Sequence, residues 1–529
     1  MALLIALLTV HTVGHAAPSH PDNPLDQTLV SNVATAALGF MAPRTLDPIP
    51  LSTMTLWGLR GLSTLDTRLN VELTLEGKNA PLLVLTMAPG DHVLLSHPTP
   101  DDADIAGWGA LIGQIVNAAW AASPAVRHAG TEGVIRTFFD EFFNHLDPYS
   151  RYVAPQDADA ERLRRAGRAG VGLDVAPGGG GFVVSGVQAG GPAAQGGIRP
   201  GERILAVDGQ STQGADLADV NTLLAGPENT MASIALRGHD GKVREVDIER
   251  ARVPPETVTA ERNGDMLVLT ISSFSRNTGA RLAQELIRGM ADPKPYHGVV
   301  IDLRGNRGGV LQQAVASAAM LQSSGEVAVT SGRDPQATHV FLADGHDLAT
   351  FLPVVVLVDG NSASAAEILA ASLADQRRAV VVGSATLGKG LVQTISPLPD
   401  GGELFLTWSR VLAPLGWPLQ GLGVLPQVCT SLGPDVLARQ LRELAHGFQP
   451  MAAALRQHRE ARAPLSPARI LDIRSACPAA IGRAIDLGAA RFLIETPEAY
   501  RTALLIAPPT SPASPSIAQS LTPPPPVSN

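Results

Sequence analysis

The 529-residue chain is 45% apolar and only 17% charged, enough to bury the cores of about two to four domains. Its formal net charge of −9, with no basic block anywhere, argues against nucleic-acid binding. Two cysteines, Cys429 and Cys477, show no metal-ligand spacing with the thirteen histidines; in an oxidising compartment they either pair or stay as buried thiols.

Residues 2–10 form a short apolar run, followed by small residues at His15-Ala16-Ala17. The pattern reads as a secretory signal over residues 1–17 and predicts export across the inner membrane to the periplasm. That run is too short to span a membrane, and no other segment is expected to do so. Residues 18–50, rich in proline, asparagine and aspartate, are expected to form an extended lead-in. Residues 51–155 read as strands followed by helices. Alternation marks strands over 69–75 and 82–87, and helical spacing covers 105–122 and 131–146. Phe138, Phe139, Phe142 and Phe143 give the second helix an apolar face suited to packing rather than to a ligand. Residues 146–155 (LDPYSRYVAP) read as a proline-bounded turn.

Residues 168–253 form a β-rich unit. Short strands over 171–176 and 182–187 flank a glycine turn. A Pro-Gly turn then precedes an alternating strand that Asp208-Gly209 ends. A helix over 216–224 and a hairpin over 233–248 close the unit. The run GIRPGERILAVDG (197–209) resembles a PDZ domain. That resemblance implies that Gly170, Val171, Gly172 and Leu173 form a carboxylate-binding loop, with a peptide C-terminus adding a strand to the sheet edge. The plainer alternative is that these glycines only make a turn.

Residues 256–430 alternate strand and helix, which predicts a layered α/β sheet with a site at the strand C-termini. Strands are expected at 267–271, 298–303, 354–358, 379–382 and 403–411, and helices at 279–290 and 310–321 and from about 364. Residues 431–507 read as helical, and the Pro/Ser-rich stretch 508–529 as a disordered tail.

Ser364 falls where the strand 354–358 delivers a helix N-terminus, beside unpaired N–H groups and the positive end of the helix dipole. Lys389 stands between Gly388 and Gly390 after the next strand. A serine needs a base to become a nucleophile, and no histidine lies between residues 353 and 394. A lysine serves if it is neutral, which requires desolvation or a neighbouring cation. Gln393, four residues on, shares a face with Lys389 and would orient it without adding charge. The N–H of Ala365 and that of Gly308 are natural oxyanion donors, with Gly308 preferred over Gly309. Spacing alone also fits a capping serine and a solvated lysine turn; Ser362 suits the cap better than Ser364 does.

The segments GVVIDLRGNRGG, NSASAAEILAASLADQRRAVVVG, TLGKGLVQ and LAPLGWPLQGLGVLPQV, with LDPYSRYVAP ahead of a PDZ-like unit, resemble the C-terminal processing (tail-specific) peptidases over about residues 130–430. The resemblance implies a PDZ domain joined to a crotonase-like layered α/β peptidase core. It also implies a serine endopeptidase with Ser364 as nucleophile, Lys389 as base and Gln393 as supporting amide. No cofactor or metal is called for. The implied partners are protein substrates with exposed C-terminal tails, with an adaptor protein and a homo-oligomer also open. Arg307, Leu387 and Gln427 depart from the proline, aromatic residue and aspartate usual in the family. The alternative is a catalytically inactive PDZ scaffold on the same fold, which loss of either dyad residue would have favoured.

Overall fold

The computed structural model describes residues 24–75, 81–166, 168–188, 191–253 and 256–504, so the expected signal and tail lie outside the described residues. The chain divides into two units, Met1–Pro155 with Thr394–Leu406, and Gln156–Gln393 with Thr407–Asn529.

The first unit corrects the expected lead-in. Gln27–Met41 is a helix, capped by Asp26, whose carboxylate accepts from the Leu29 N–H. Val30, Val33, Ala34, Ala37, Leu38 and Met41 recur at helical spacing and are buried. The polar, proline-rich composition belongs to the flanks, and the periodicity between them decides the structure. A second helix, Leu51–Arg60, stands where strands were expected to begin. The sheet that follows is antiparallel, over Leu69–Thr74, Leu82–Met87 and His92–Pro98. Two helices come next, Ile105–Ala122 and Pro124–Phe143, the latter kinked at Gly130. Contrary to expectation, Ile105–Ala122 is long and apolar enough to cross a membrane by length and composition. Its Trp108, Leu111, Ile112 and Ile115 are buried in the core of this unit. Within the expected turn, Arg151–Val153 is a short strand paired with residues 403–405.

In the second unit, one sheet takes the strand order Val243–Glu249, Met231–Arg237, Arg203–Val207, Gly181–Val187, Leu173–Gly178. Leu173–Gly178 is therefore an open edge, facing the helix Leu217–Leu224 capped by Asp216. A second sheet runs Val258–Asn263, Met266–Ile271, Gly298–Asp302, Val354–Val358, Ala379–Gly383, Val428–Cys429. Its first pair is antiparallel and every later pair parallel.

Alternation along these parallel strands feeds two cores, as a sheet buried on both faces requires. Leu269, Ile301, Val356 and Val381 pack with the helices Thr278–Met290, Leu311–Ala319 and Ala365–Asp375. Val268, Val300, Val355, Val380 and Val382 face the other way, against Leu437, Leu444, Ala490, Leu493 and Ala503. The helices after residue 431 are thus the second cover of the sheet, without which its valines would face water.

Candidate active site

Both candidate catalytic residues follow the C-terminal ends of adjacent parallel strands, Val354–Val358 and Ala379–Gly383. The first turn is held by Asp359. Its Oδ1 accepts from the N–H groups of Gly305, Asn361 and Ser362, at 3.0, 3.0 and 3.1 Å. Ser362 is fully buried; its hydroxyl donates to the Leu303 carbonyl at 2.8 Å and accepts from the Asp359 N–H at 2.9 Å. Ser362 thus has a structural task, as a tie between strands rather than as the helix cap.

Ser364 is the N-cap of the helix Ala365–Asp375 and has φ 56° and ψ −117°. A side-chain-bearing residue rarely adopts this backbone, and here the strand-to-helix turn imposes it. The turn is stabilised from inside the helix. The Ser364 N–H donates to Glu367 Oε2 at 2.8 Å, and the same oxygen accepts from the Lys389 N–H at 2.9 Å. Glu367 Oε1 accepts from the Gly388 N–H at 2.7 Å and from the Thr386 hydroxyl. One fully buried carboxylate therefore joins the backbones of Ser364 and Lys389 through a single oxygen. Burial pushes its pKa up, and the four donors work against that shift by stabilising the ionised form.

Close backbone approach fixes the lysine turn. Gly388 has φ 86°, and a Cβ there would lie 2.9 Å from the Gly421 carbonyl carbon. At Gly390 a Cβ would lie 2.2 Å from the Gln420 nitrogen. The Gly390 N–H donates to Gln420 Oε1, and the Gly421 N–H to the Gly388 carbonyl. Gln393 donates through Nε2 to the Leu391 carbonyl at 3.2 Å and to the Thr407 hydroxyl at 3.0 Å. Gln427, one of the departures, is buried and accepts from the Val381 N–H at 2.8 Å, so that side chain serves the sheet.

Gly308 lies beside Ser364, where an added Cβ would come within 2.8 Å of the Ser364 Cβ and 3.0 Å of the Ala365 nitrogen. Its N–H, however, donates to the buried Asn306 Oδ1 at 2.8 Å. The preference for Gly308 as an oxyanion donor is corrected accordingly, because in this structure that N–H is committed. Gly309 bridges in parallel to Phe274, whose N–H and carbonyl bond to Gly308 and Val310. In this pattern the N–H of Gly309 itself points away from Phe274, and the residue is exposed.

The loop Gly170–Leu173 lines a cavity of about 630 Å³, together with Asn221 and Leu224 of the facing helix and Arg281 and Arg288 of the peptidase core. Glu367 and Thr386 were missed as site residues. The Ser-x-x-Glu spacing of a capping box could have revealed Glu367, whereas nothing local marks Thr386.

The serine turn and the lysine turn meet at Glu367, and comparison with known proteins gives the class, a serine peptidase carrying a PDZ domain. Residues 265–430 match the model of peptidase family S41, and residues 183–238 match that of the PDZ domain. The chain is 33% identical over 316 residues to the chloroplastic C-terminal processing peptidase of Tetradesmus obliquus, covering 56% of this chain and 67% of that one. It is 33% identical over 289 residues to the carboxy-terminal-processing protease of Bartonella bacilliformis, covering 54% of this chain and 66% of that one. The solved photosystem II D1 C-terminal processing protease is 29% identical, covering 61% of this chain and 92% of that one, with a TM-score of 0.34. The chain belongs to the C-terminal processing peptidases of family S41 and is a serine-type endopeptidase with a PDZ domain.

Proposed function

We propose that Ser364 and Lys389 form a Ser–Lys dyad that cuts protein substrates near their C-termini, on a core layered in the crotonase manner. The observation that carries this reading is the shared Glu367 oxygen, which holds the two backbones within two hydrogen bonds of each other. Ser364 Oγ attacks the scissile carbonyl as Lys389 takes its proton. The lysine then returns that proton to the leaving amine, and repeats the cycle with water to release the acyl group. The N–H groups of Ala365 and Gly309 hold the oxyanion, with Gly308 supplying the close approach rather than the donor. Gln393, anchored through its amide nitrogen, supports the lysine.

The substrate tail adds to the open edge at Leu173–Gly178, with its carboxylate at the loop of Gly170, Val171, Gly172 and Leu173. Support comes from the edge position of that strand and from the cavity at the loop. An exported, oxidising location is supported by the Cys429–Cys477 disulfide.

The test is to incubate wild type, Ser364→Ala and Lys389→Ala with an unfolded protein and to map the cuts by mass spectrometry. Both variants should fold and lose turnover, and wild-type activity should rise with pH as the lysine amine loses its proton. Near-wild-type cleavage by Lys389→Ala would rule the dyad out.

A further inference from the structure

The matched peptidase segment ends at residue 430, yet the turn that carries Lys389 is fastened from beyond it. Arg474 is the last residue of the helix Pro467–Arg474. Its guanidinium donates to the Thr386 carbonyl at 2.7 Å and to the Leu422 carbonyl at 2.8 Å, with a longer 3.5 Å contact to Gly421. These carbonyls belong to two separate segments, the base turn and the loop that lies on it. The same two segments meet again at Thr386. Its hydroxyl accepts from the Val424 N–H at 2.7 Å and donates to Glu367, the carboxylate that binds both Ser364 and Lys389. The approach is tight, since a Cβ at Gly423 would lie 2.8 Å from Arg474 Nη1 and 2.8 Å from Thr386 Oγ1.

The hydrogen bonds of Arg474 go to main-chain carbonyl oxygens. Burial of its charge lowers its pKa, and Glu367 offsets part of that cost through space. A half-buried cation that bonds to main-chain carbonyls fixes loop geometry.

The chain downstream of Arg474 holds the partner turn as well. The Ala480 carbonyl accepts from the Gly360 N–H at 2.8 Å and from the Ser384 hydroxyl at 2.9 Å, and the Gly482 N–H reaches Asp359 Oδ2 at 3.1 Å. Between them, Cys477 is tied to Cys429.

We propose that Arg474 is a positioning residue for proteolysis, holding the Lys389 turn in register with Ser364 from outside the matched peptidase segment. The inference rests on the dyad reading. Arg474 touches neither reacting atom and acts through Thr386 and Glu367. Its loss should therefore lower kcat and leave substrate capture alone.

The experiment compares wild type, Ser364→Ala, Arg474→Met, Arg474→Lys and Arg469→Met as full-length proteins on a dye-labelled unfolded protein. Arg469 is on the same helix and, among the described residues, its side chain pairs with Asp472, so Arg469→Met controls for the helix surface. We expect Arg474→Met to lose roughly 10- to 100-fold in kcat, with KM within about twofold and an unchanged Tm. Arg474→Lys should recover part of kcat, and Arg469→Met should match wild type. A kcat within about twofold of wild type for Arg474→Met overturns the proposal. So does a parallel loss of Tm and kcat that Arg474→Lys reverses in Tm alone. Cleavage by Ser364→Ala would instead overturn the dyad, whatever Arg474 does, so the two failures are distinguishable.

Discussion

The two turns of the candidate active site end adjacent strands of one sheet, but they draw differently on near and distant parts of the chain. The turn before Ser364 combines ties within itself with ties to Gly305, Leu303, Ala480 and Gly482. Asp359 bonds to N–H groups two and three residues ahead, and Ser362 folds back on Asp359. The turn bearing Lys389 is tied to segments far along the chain. It depends on Glu367, 22 residues upstream of the lysine, on Gln420, 30 residues beyond Gly390, and on Arg474, 88 residues beyond Thr386. Ser364 is thus placed by its own strand–turn–helix segment together with Gly305, Ala480 and Gly482. The Lys389 turn is placed by what distant parts of the core bring against it, so mutations far from residue 389 should act on turnover before they act on substrate capture.

The strongest way to break this asymmetry is at Glu367, where the two turns share an atom. Glu367→Gln turns an amide NH2 toward N–H donors and leaves at least one buried donor unsatisfied. A loss of roughly 100-fold in kcat is expected, measured on an unfolded protein substrate, with KM nearly constant. Protonation should have a related effect. Because burial raises the pKa of Glu367, the carboxylate takes up a proton above the usual range as pH falls, and activity should drop there before the fold is lost.

Gly388→Ala probes the base turn alone. The added Cβ meets the Gly421 backbone, which has no rotamer with which to yield, and the residue must still hold φ 86°. A destabilisation of about 2 kcal/mol, read from a denaturant midpoint, is expected together with lost activity. An equivalent substitution at exposed Gly305, where nothing lies within 4 Å of an added Cβ, should cost only the backbone strain of its φ of 74°.

The smallest effect on activity at neutral pH lies in the supporting layer. His458 is buried against Trp417, with ring centroids 4.4 Å apart, and is hydrogen-bonded to the Gly423 carbonyl at 2.8 Å. Burial pushes its pKa down to about 3 from 6.5. The unfolded chain therefore binds this proton first as pH falls. The stability that neutral His458 contributes is complete above pH 6.5 and is lost between 6.5 and about 3. His458→Gln keeps a donor for Gly423 and removes the titration. Its unfolding free energy should fall less steeply across that window, by about 1.4 kcal/mol per pH unit.

Much of this protein was legible in the chain, because local patterns carried it. Alternation and apolar runs marked the strands at 266–271, 298–302, 354–358 and 379–383, since a parallel sheet buried on both faces needs unbroken valine-rich segments. The placement of Ser364 at a helix start was likewise local. The helix Gln27–Met41 is also written in the chain, in the helical period of its apolar residues rather than in the composition around them.

Tertiary structure alone decided the rest. No spacing rule links Arg474 to Thr386, or Gln420 to Gly390, since those contacts arise only when distant loops stack over the strand ends. The commitment of the Gly308 N–H to Asn306 depends on one side-chain rotamer inside the core. Sequence determined which residues could do the chemistry, because their types and turns are local properties. The fold decided which N–H groups remain available and what holds the lysine, because those are properties of packing.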